Sequence, residues 1–548
     1  MSAVELLSAL LFAVHAFLGL DPALIFAPKE ALPPPAVMSS DGTLTVITDL
    51  NIQFGSAPID NYADSHKWHR IEKDLYLHTT YQQAWLEVEQ KQVADLTLGD
   101  LVITAVRVDE QSPASRANEQ WESRPGNIWL LKKDYNGDAG AIVTSIDVLF
   151  GTDAVDPRPG WTLVYSPLAL NAPPEAPVAK ITVRHGRPAA RPDRPQTPLR
   201  ARVDGKFKIV QISDTHMVTG PGVCKDASDA NGQPLPESEA DPLSVKFIRH
   251  VLDVEGPDLV VLTGDQLHHD ILDSQSTLFK VVAPLVERSI PFAPVFGNHD
   301  DEGSYALSRN AQMQILDSLP FNLARAGPAN TDGVSNYHIQ ILGSAPSPVP
   351  MATLYLIDSH GQIPSEVHNP DYKPIQPSQI KWLIDTSRAL RKAREKYKSS
   401  KHLSLAFQHI PLPEYADSNL ITVGGHRREP TEGPSVNTHF YDTLLEEGVV
   451  AVGCGHDHVN DFCGLLPRKQ EDMPDGEASQ LGPWLCHGGG TGFGGYMSYG
   501  PHRYHRRSRI WELDAITGGI TTWKRVEYAS ERVDELVLVA GGAVVAPP

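Results

Sequence analysis

An α/β domain carried behind a β-rich one is the fold that this chain predicts, on three observations. Short alternating or β-branched runs fill the stretch up to His185. Beyond Lys206, apolar strand runs alternate with helical stretches, the pattern of a parallel or mixed sheet with crossover helices. Five of those later strands end in Asp, Asn or His, which puts polar side chains where open α/β sheets bind ligands.

Composition agrees with a folded, globular chain. At about 150 residues per domain, 548 residues suggest roughly three to four domains, or fewer large ones. With 41% hydrophobic and 21% charged residues the chain is globular rather than disordered. Lys and Arg total 47 against 67 Asp and Glu, a net charge of −20. That balance argues against a general binder of nucleic acid or anionic membranes.

Residues 1–40 form an apolar segment and a Pro-rich linker. Leu6 to Leu20 is mostly apolar, but Glu5 stands where a signal peptide carries Lys or Arg, and His15 interrupts the run. The run is also short of the roughly 20 residues that cross a bilayer. It reads as a weak signal peptide or anchor, or as a buried or surface-lying helix, so membrane association stays open. A cytoplasmic location is preferred to a secretory or vacuolar one. No Asn-x-Ser/Thr sequon occurs, which disfavours a glycosylated secreted protein.

Residues 41–185 read as the β-rich domain, with strands at TLTVITDL, LVITAVRV, IVTSIDVLF, WTLVYSPL and AKITVRH. They carry no cluster of metal-binding residue types. Residues 186–205, Pro- and Arg-rich and aperiodic, read as a linker. Residues 206–530 read as the α/β domain, with helices at PLSVKFIRHVLDVE, SQSTLFKVVAPLVERS and QIKWLIDTSRALRKAREKYK. Residues 531–548 form an apolar, Gly-rich tail with no assigned role. The four cysteines, Cys224, Cys454, Cys463 and Cys486, include no CxxC pair, and the sequence leaves three pairings open.

The chemistry lies at the strand ends. FKIVQIS is followed by Asp214-Thr215-His216, LVVLTG by Asp265, and FAPVFG by Asn298-His299-Asp300. LSLAFQ is followed by His409, and VVAVGCG by His456-Asp457-His458. Carboxylates and imidazoles brought together at low dielectric repel or lose their partners, and a divalent cation reverses that penalty. Mixed imidazole, carboxylate and amide donors suit zinc, iron or manganese better than calcium. The slots are too many for one tetrahedral zinc and fit a pair of metals roughly 3.5–4 Å apart.

These motifs resemble those of the calcineurin-like metallophosphoesterase superfamily, over about Phe207 to Tyr528. Within it the chain is most similar to fungal cell-cycle regulatory phosphatases and plant proteins related to purple acid phosphatases, through GNHDDEG, HIPLPEY, GHDHVNDFCG and LCHGGGTGFGGY. IDVLFGTDAVDPRPGW, upstream, also looks like that subgroup.

The resemblance implies an αββα sandwich behind the β-rich domain and a binuclear centre of two divalent or trivalent ions, with Fe, Zn, Mn and Mg all open. It assigns Asp214, His216, Asp265 and His458 to one metal and Asp265, Asn298, His409 and His456 to the other, Asp265 bridging. A hydroxide shared by the metals would attack phosphorus. His299 would protonate the leaving oxygen or bind the phosphoryl group, and Asp300 would orient His299. Purple acid phosphatases carry Asp-x-Gly first and a Tyr three residues after the bridging Asp. Here those positions are His216 and His268, so no tyrosinate colour is expected.

Weaker candidates surround this set. The run Gly488 to Gly495 lacks the Lys-Ser/Thr of a P-loop and reads as a tight loop beside the site. The basic cluster His502, Arg503, His505, Arg506, Arg507 and Arg509 reads as a solvated edge strand, with Arg506 and Arg507 as candidate substrate contacts. Tyr415 is a candidate pocket wall or a packed aromatic. No Gly-x-Ser-x-Gly occurs. The activity that the resemblance implies is phosphomonoester hydrolysis, with phosphoproteins as the substrate class. Phosphodiesterase or nucleotide hydrolase activity, and a silent regulatory binding protein, are the alternatives. The sequence leaves oligomeric state open.

Overall fold

A computed structural model describes residues 44–55, 68–79, 82–114, 120–188, 198–235, 238–365, 371–397, 401–467 and 481–547. The apolar segment and Pro-rich linker of residues 1–40 lie outside the described residues, as do 189–197 of the second linker. No helix among the described residues is long and apolar enough to cross a membrane.

Among the described residues the N-terminal domain is β-rich, as expected. Its three small antiparallel sheets centre on Ala84–Gln92, Ile128–Asp134 and Ala179–His185. Their inward side chains, among them Leu50, Leu86, Ile103, Leu130, Val148 and Ile181, share one core. Of WTLVYSPL only Trp161–Leu163 is a strand.

The larger domain stacks two seven-stranded sheets. The first contains β1 (Lys206–Ile212), β2 (Leu259–Thr263), β3 (Phe292–Val295) and four C-terminal strands introduced below. The second contains β4 (Tyr337–Leu342), β5 (Pro350–Leu356), β6 (Leu403–Phe407), β7 (Ile421–Val423), β8 (Ala451–Cys454), β9 (Cys463–Leu465) and β10 (Trp484–His487). The first sheet is completed by β11 (Arg507–Asp514), β12 (Gly519–Val526), β13 (Val533–Ala540) and β14 (Ala543–Val544). Its order is β3-β2-β1-β11-β12-β13-β14, and the second runs β4-β5-β6-β8-β10-β9-β7.

Strands β1, β2 and β3 are parallel, as are β5, β6, β8 and β10. Covered on both faces, such strands read as continuous apolar runs, and every residue of β2, β6 and β8 is buried. Helices α1 (Ala240–Glu255) and α2 (Ser274–Glu287) pack on each other and join the core around β1–β3. α1 stops at Gly256, whose φ of 52° is left-handed. α2 starts where Asp273 accepts the Ser276 N–H. A short α3 (Arg309–Asp317) follows β3. On the far side, α4 (Pro377–Arg394) and α5 (Phe440–Glu446) bury Leu383 and Leu444 against Tyr355, Ala406 and Val452 of the second sheet. The layers are therefore αββα.

Two boundaries differ from the sequence expectation. Residues 531–547 are more than a tail, because β13 pairs with β12 and buries Leu538 and Val539 in the sandwich core. The end of the 186–205 linker is also tied down, since Ala201 donates to the Leu342 carbonyl at 2.8 Å. The N-terminal domain docks on α2, where Phe150 N–H reaches Ser276 Oγ at 2.9 Å and Lys280 reaches Asp153 at 2.9 Å. Cys463 and Cys486 form a disulfide between β9 and β10, and Cys454 is a buried free thiol.

Candidate metal centre

The loops after β1, β2, β3, β6 and β8 carry all of the predicted donors. Parallel neighbours end on the same side, so residues remote in sequence meet at one edge of the sandwich. Asp214 Oδ1 lies 3.5 Å from His458 Nε2, and His458 Nε2 lies 3.1 Å from His216 Nε2. In a second group, His409 Nε2 lies 3.2 Å from Asp265 Oδ2, 3.1 Å from Asn298 Oδ1 and 3.3 Å from His456 Nδ1. Asp265 Oδ2 stands between the groups, 3.6 Å from His216 Nε2. Donors about 2.1 Å from a metal stand roughly 3.0–3.4 Å apart in octahedral or tetrahedral shells. Each group therefore has the spacing of one coordination sphere.

Hydrogen bonds fix the imidazoles. His458 Nδ1–H donates to the Tyr496 carbonyl and His409 Nδ1–H to the Thr263 carbonyl, both at 2.8 Å. Each ring then aims an Nε2 lone pair at other acceptors. His456 Nε2 is buried without a hydrogen-bond partner. Burial raises the Asp214 carboxyl, His409 opposing and Asp265 assisting, to about 7. Burial pushes His458 down to about 3, and His216 and His456 well below the usual imidazole range. Neutral imidazoles are what ligation needs. Against burial, Asp265 and Asp214 hold His409 up to about 9. A cation between these acceptors takes the place of that proton. The donor set therefore fits a pair of metal ions.

The backbone is shaped for this meeting. Asp214, His216, Asp265 and His456 all have positive φ, from 46° to 74°, a region costly for residues with a side chain and concentrated at functional sites. Glycines beside the motifs permit close approach: a Cβ at Gly297 would stand 2.2 Å from Asp265 Oδ1, and one at Gly495 2.4 Å from the His458 ring. The glycine run is the expected tight loop, with Gly492 and Gly494 laid on the Thr215 and His216 carbonyls.

The calcineurin-like phosphoesterase family model matches residues 207–460. Phosphatase DCR2 of Saccharomyces cerevisiae is 37% identical over 75% of this chain and 68% of its own. The probable inactive purple acid phosphatase 29 of Arabidopsis thaliana is 34% identical over 60% of this chain and 84% of its own. Among solved structures, a dimetal phosphatase from Danio rerio is 15% identical, covers 61% of this chain and 99% of that one, and has a TM-score of 0.39. The chain belongs to the calcineurin-like phosphoesterase family.

For a calcineurin-like phosphoesterase the remaining predicted residues divide sharply. His299 lies at the centre, its Nε2 4.0 Å from Asp265 Oδ2 and its ring 5.3 Å from that of His216. Asp300 does not touch the His299 ring. Its buried carboxylate accepts the backbone N–H groups of Gly297, Leu267 and Asp265, at 2.7, 2.9 and 3.1 Å. It holds the loops that carry Asp265 and Asn298. The residue that orients His299 is Glu302, whose carboxylate bonds Nδ1. The sequence carries a signal for it, a carboxylate three residues after the histidine within GNHDDEG.

Arg506 and Arg507 are not placed for substrate. Both are buried; Arg506 donates to the Gly495 and Lys225 carbonyls, and Arg507 pairs with Asp461. Arg509 is equally internal, donating to the carbonyls of His487 and Asp461. Within that basic cluster, His502 and Arg503 sit exposed in a short hairpin. Tyr415 is a packed aromatic: it is fully buried, its hydroxyl donates to the Val452 carbonyl, and its ring meets His487 edge-on.

Proposed function

We propose that this chain hydrolyses phosphomonoesters, with phosphoproteins as the substrate class. The observation that carries the reading is the meeting of two donor triads, Asp214-His216-His458 and Asp265-His409-His456. In this reading Asp214, His216 and His458 hold one cation, Asn298, His409 and His456 the other, and Asp265 both. Bound there, a cation pair supplies an acidified water and charge neutralisation for phosphoryl oxygens. His299 Nε2 stands beside the centre, able to pass a proton to the leaving oxygen or to hold a phosphoryl oxygen. Burial lowers the His299 pKa, but Asp265 and Glu302 outweigh it and raise it above the ordinary value. A cavity of about 580 Å³, lined by Asn298, Glu302, Arg309, Asp358 and Gly361, opens beside the second triad. Its size suits the organic part of a substrate.

The same donors would serve a phosphodiesterase. A silent binding protein is the other reading, and the name of the Arabidopsis relative raises it. The seven donors converging here speak against it. Protein reconstituted with iron, zinc, manganese or magnesium should turn over para-nitrophenyl phosphate faster than its bis ester, with about two metals per chain by element analysis, and should dephosphorylate phosphopeptides. Preference for the bis ester would favour the diesterase. Folded protein that binds no metal, or binds it without turnover, would overturn the reading.

A further inference from the structure

His268 occupies the position where purple acid phosphatases carry tyrosine, and its hydrogen bonding is frustrated. Its Nδ1 accepts the backbone N–H of His269 at 2.8 Å. A neutral imidazole that accepts on one nitrogen carries its proton on the other. The Nε2–H of His268 therefore faces the Nζ of Lys225, 2.9 Å away, and an ammonium has no lone pair to accept it. Two donors converge on one place, and an anionic acceptor bound there satisfies both.

Both donors stand on fixed backbone. Lys225 N–H donates to the Phe493 carbonyl at 2.9 Å, and its own carbonyl accepts from buried Arg506. His268 N–H donates to the Met217 carbonyl at 3.0 Å. The Lys225 side chain is exposed and, among the described residues, forms no ion pair within 4.0 Å, in a chain of net charge −20. The His268 ring meets that of His216 edge-on at 5.5 Å, and the His269 ring lies 5.5 Å from that of His299. The donor pair thus lies one imidazole outside the metal donors, on the wall shared with His299.

We propose that Lys225 and His268 form a second anion subsite that selects phosphoesters carrying another anionic group next to the scissile one. This rests on the phosphatase reading for the ester at the centre. The test is calorimetric binding to the metal-loaded full chain of two peptides with a non-hydrolysable phosphonate in place of phosphoserine. One has a second phosphonate as its neighbour and the other has alanine. Wild type should prefer the doubly anionic peptide about tenfold. Lys225→Met and His268→Phe should each reduce the preference below twofold while affinity for the singly anionic peptide and metal content stay unchanged. No preference in wild type, a preference retained in both variants, or equal weakening of both peptides overturns the subsite. Wild type that keeps the preference yet fails to hydrolyse para-nitrophenyl phosphate would instead sink the phosphatase reading alone.

Discussion

Replacing Glu302 by glutamine tests the catalytic geometry at its most informative point. The Glu302 carboxylate bonds His299 Nδ1, leaving Nε2 turned toward Asp265. Burial lowers the His299 pKa, and Asp265 and Glu302 together raise it above the ordinary value. Glu302→Gln keeps the length and an acceptor oxygen but removes the charge. The imidazolium then loses a stabilising partner, its pKa falls, and the proton leaves at lower pH.

A neighbouring opposite charge is worth about 1–3 pKa units. The two side chains are 30% and 47% exposed, and screening by water puts the effect at the low end, about one unit. The alkaline limb of kcat/KM against pH should move about one unit toward acid. On that limb the rate should fall about tenfold, because the glutamine oxygen still accepts from Nδ1 and holds the ring while the charge is gone. His299→Ala should cost about 10²–10⁴-fold and abolish the limb. The assay is para-nitrophenyl phosphate hydrolysis from pH 5 to 9 with metal content measured alongside, which should not change. Wild-type rate and an unmoved limb in Glu302→Gln would show that His299 is not the titrating group.

Asp300→Asn removes one carboxylate acceptor from the three amides it gathers, so metal affinity should fall about 10–100-fold and stability by about 1–3 kcal/mol, read by competitive chelation and urea denaturation. Asp461 is buried against Arg428, Arg507 and Lys524. Asp461→Ala strands those cations and should cost about 3–5 kcal/mol in urea unfolding, while Asp534→Ala, at the half-exposed edge of the same network, should cost under about 1 kcal/mol. Iron-loaded protein should show no tyrosinate charge-transfer band, because the position three residues after Asp265 is His268 rather than tyrosine and the hydroxyl of nearby Tyr496 is bound to Glu429. A purple colour would overturn the ligand assignment.

Much of the centre was legible before folding. A strand's buried length and its polar terminus are local features, so Asp214, Asp265, Asn298, His409, His456 and His458 stood out at the ends of apolar runs. Asp300 and Glu302 show where local reading fails. Both lie in one motif, and only the direction of each side chain tells the backbone clamp from the partner of His299. The basic cluster misled for a related reason: charge suggested solvent, but Arg507 and Arg509 point inward from β11 to Asp461 and the carbonyls around it. The tail misled through its glycines, since its pairing with β12 depends on a neighbour that the tail itself does not reveal.

By itself the sequence determined the β-rich-then-α/β fold class, the alternation of strands and helices beyond Lys206 and the Asp, Asn and His side chains that stand at the strand ends, because each rests on hydrophobic period or residue type within a few neighbours. Tertiary structure decided which groups aim the donors, which cations are spent inside, and where Lys225 meets His268. Those outcomes depend on contacts between loops far apart in the chain, where the direction of a side chain, set by packing, matters more than its chemical type.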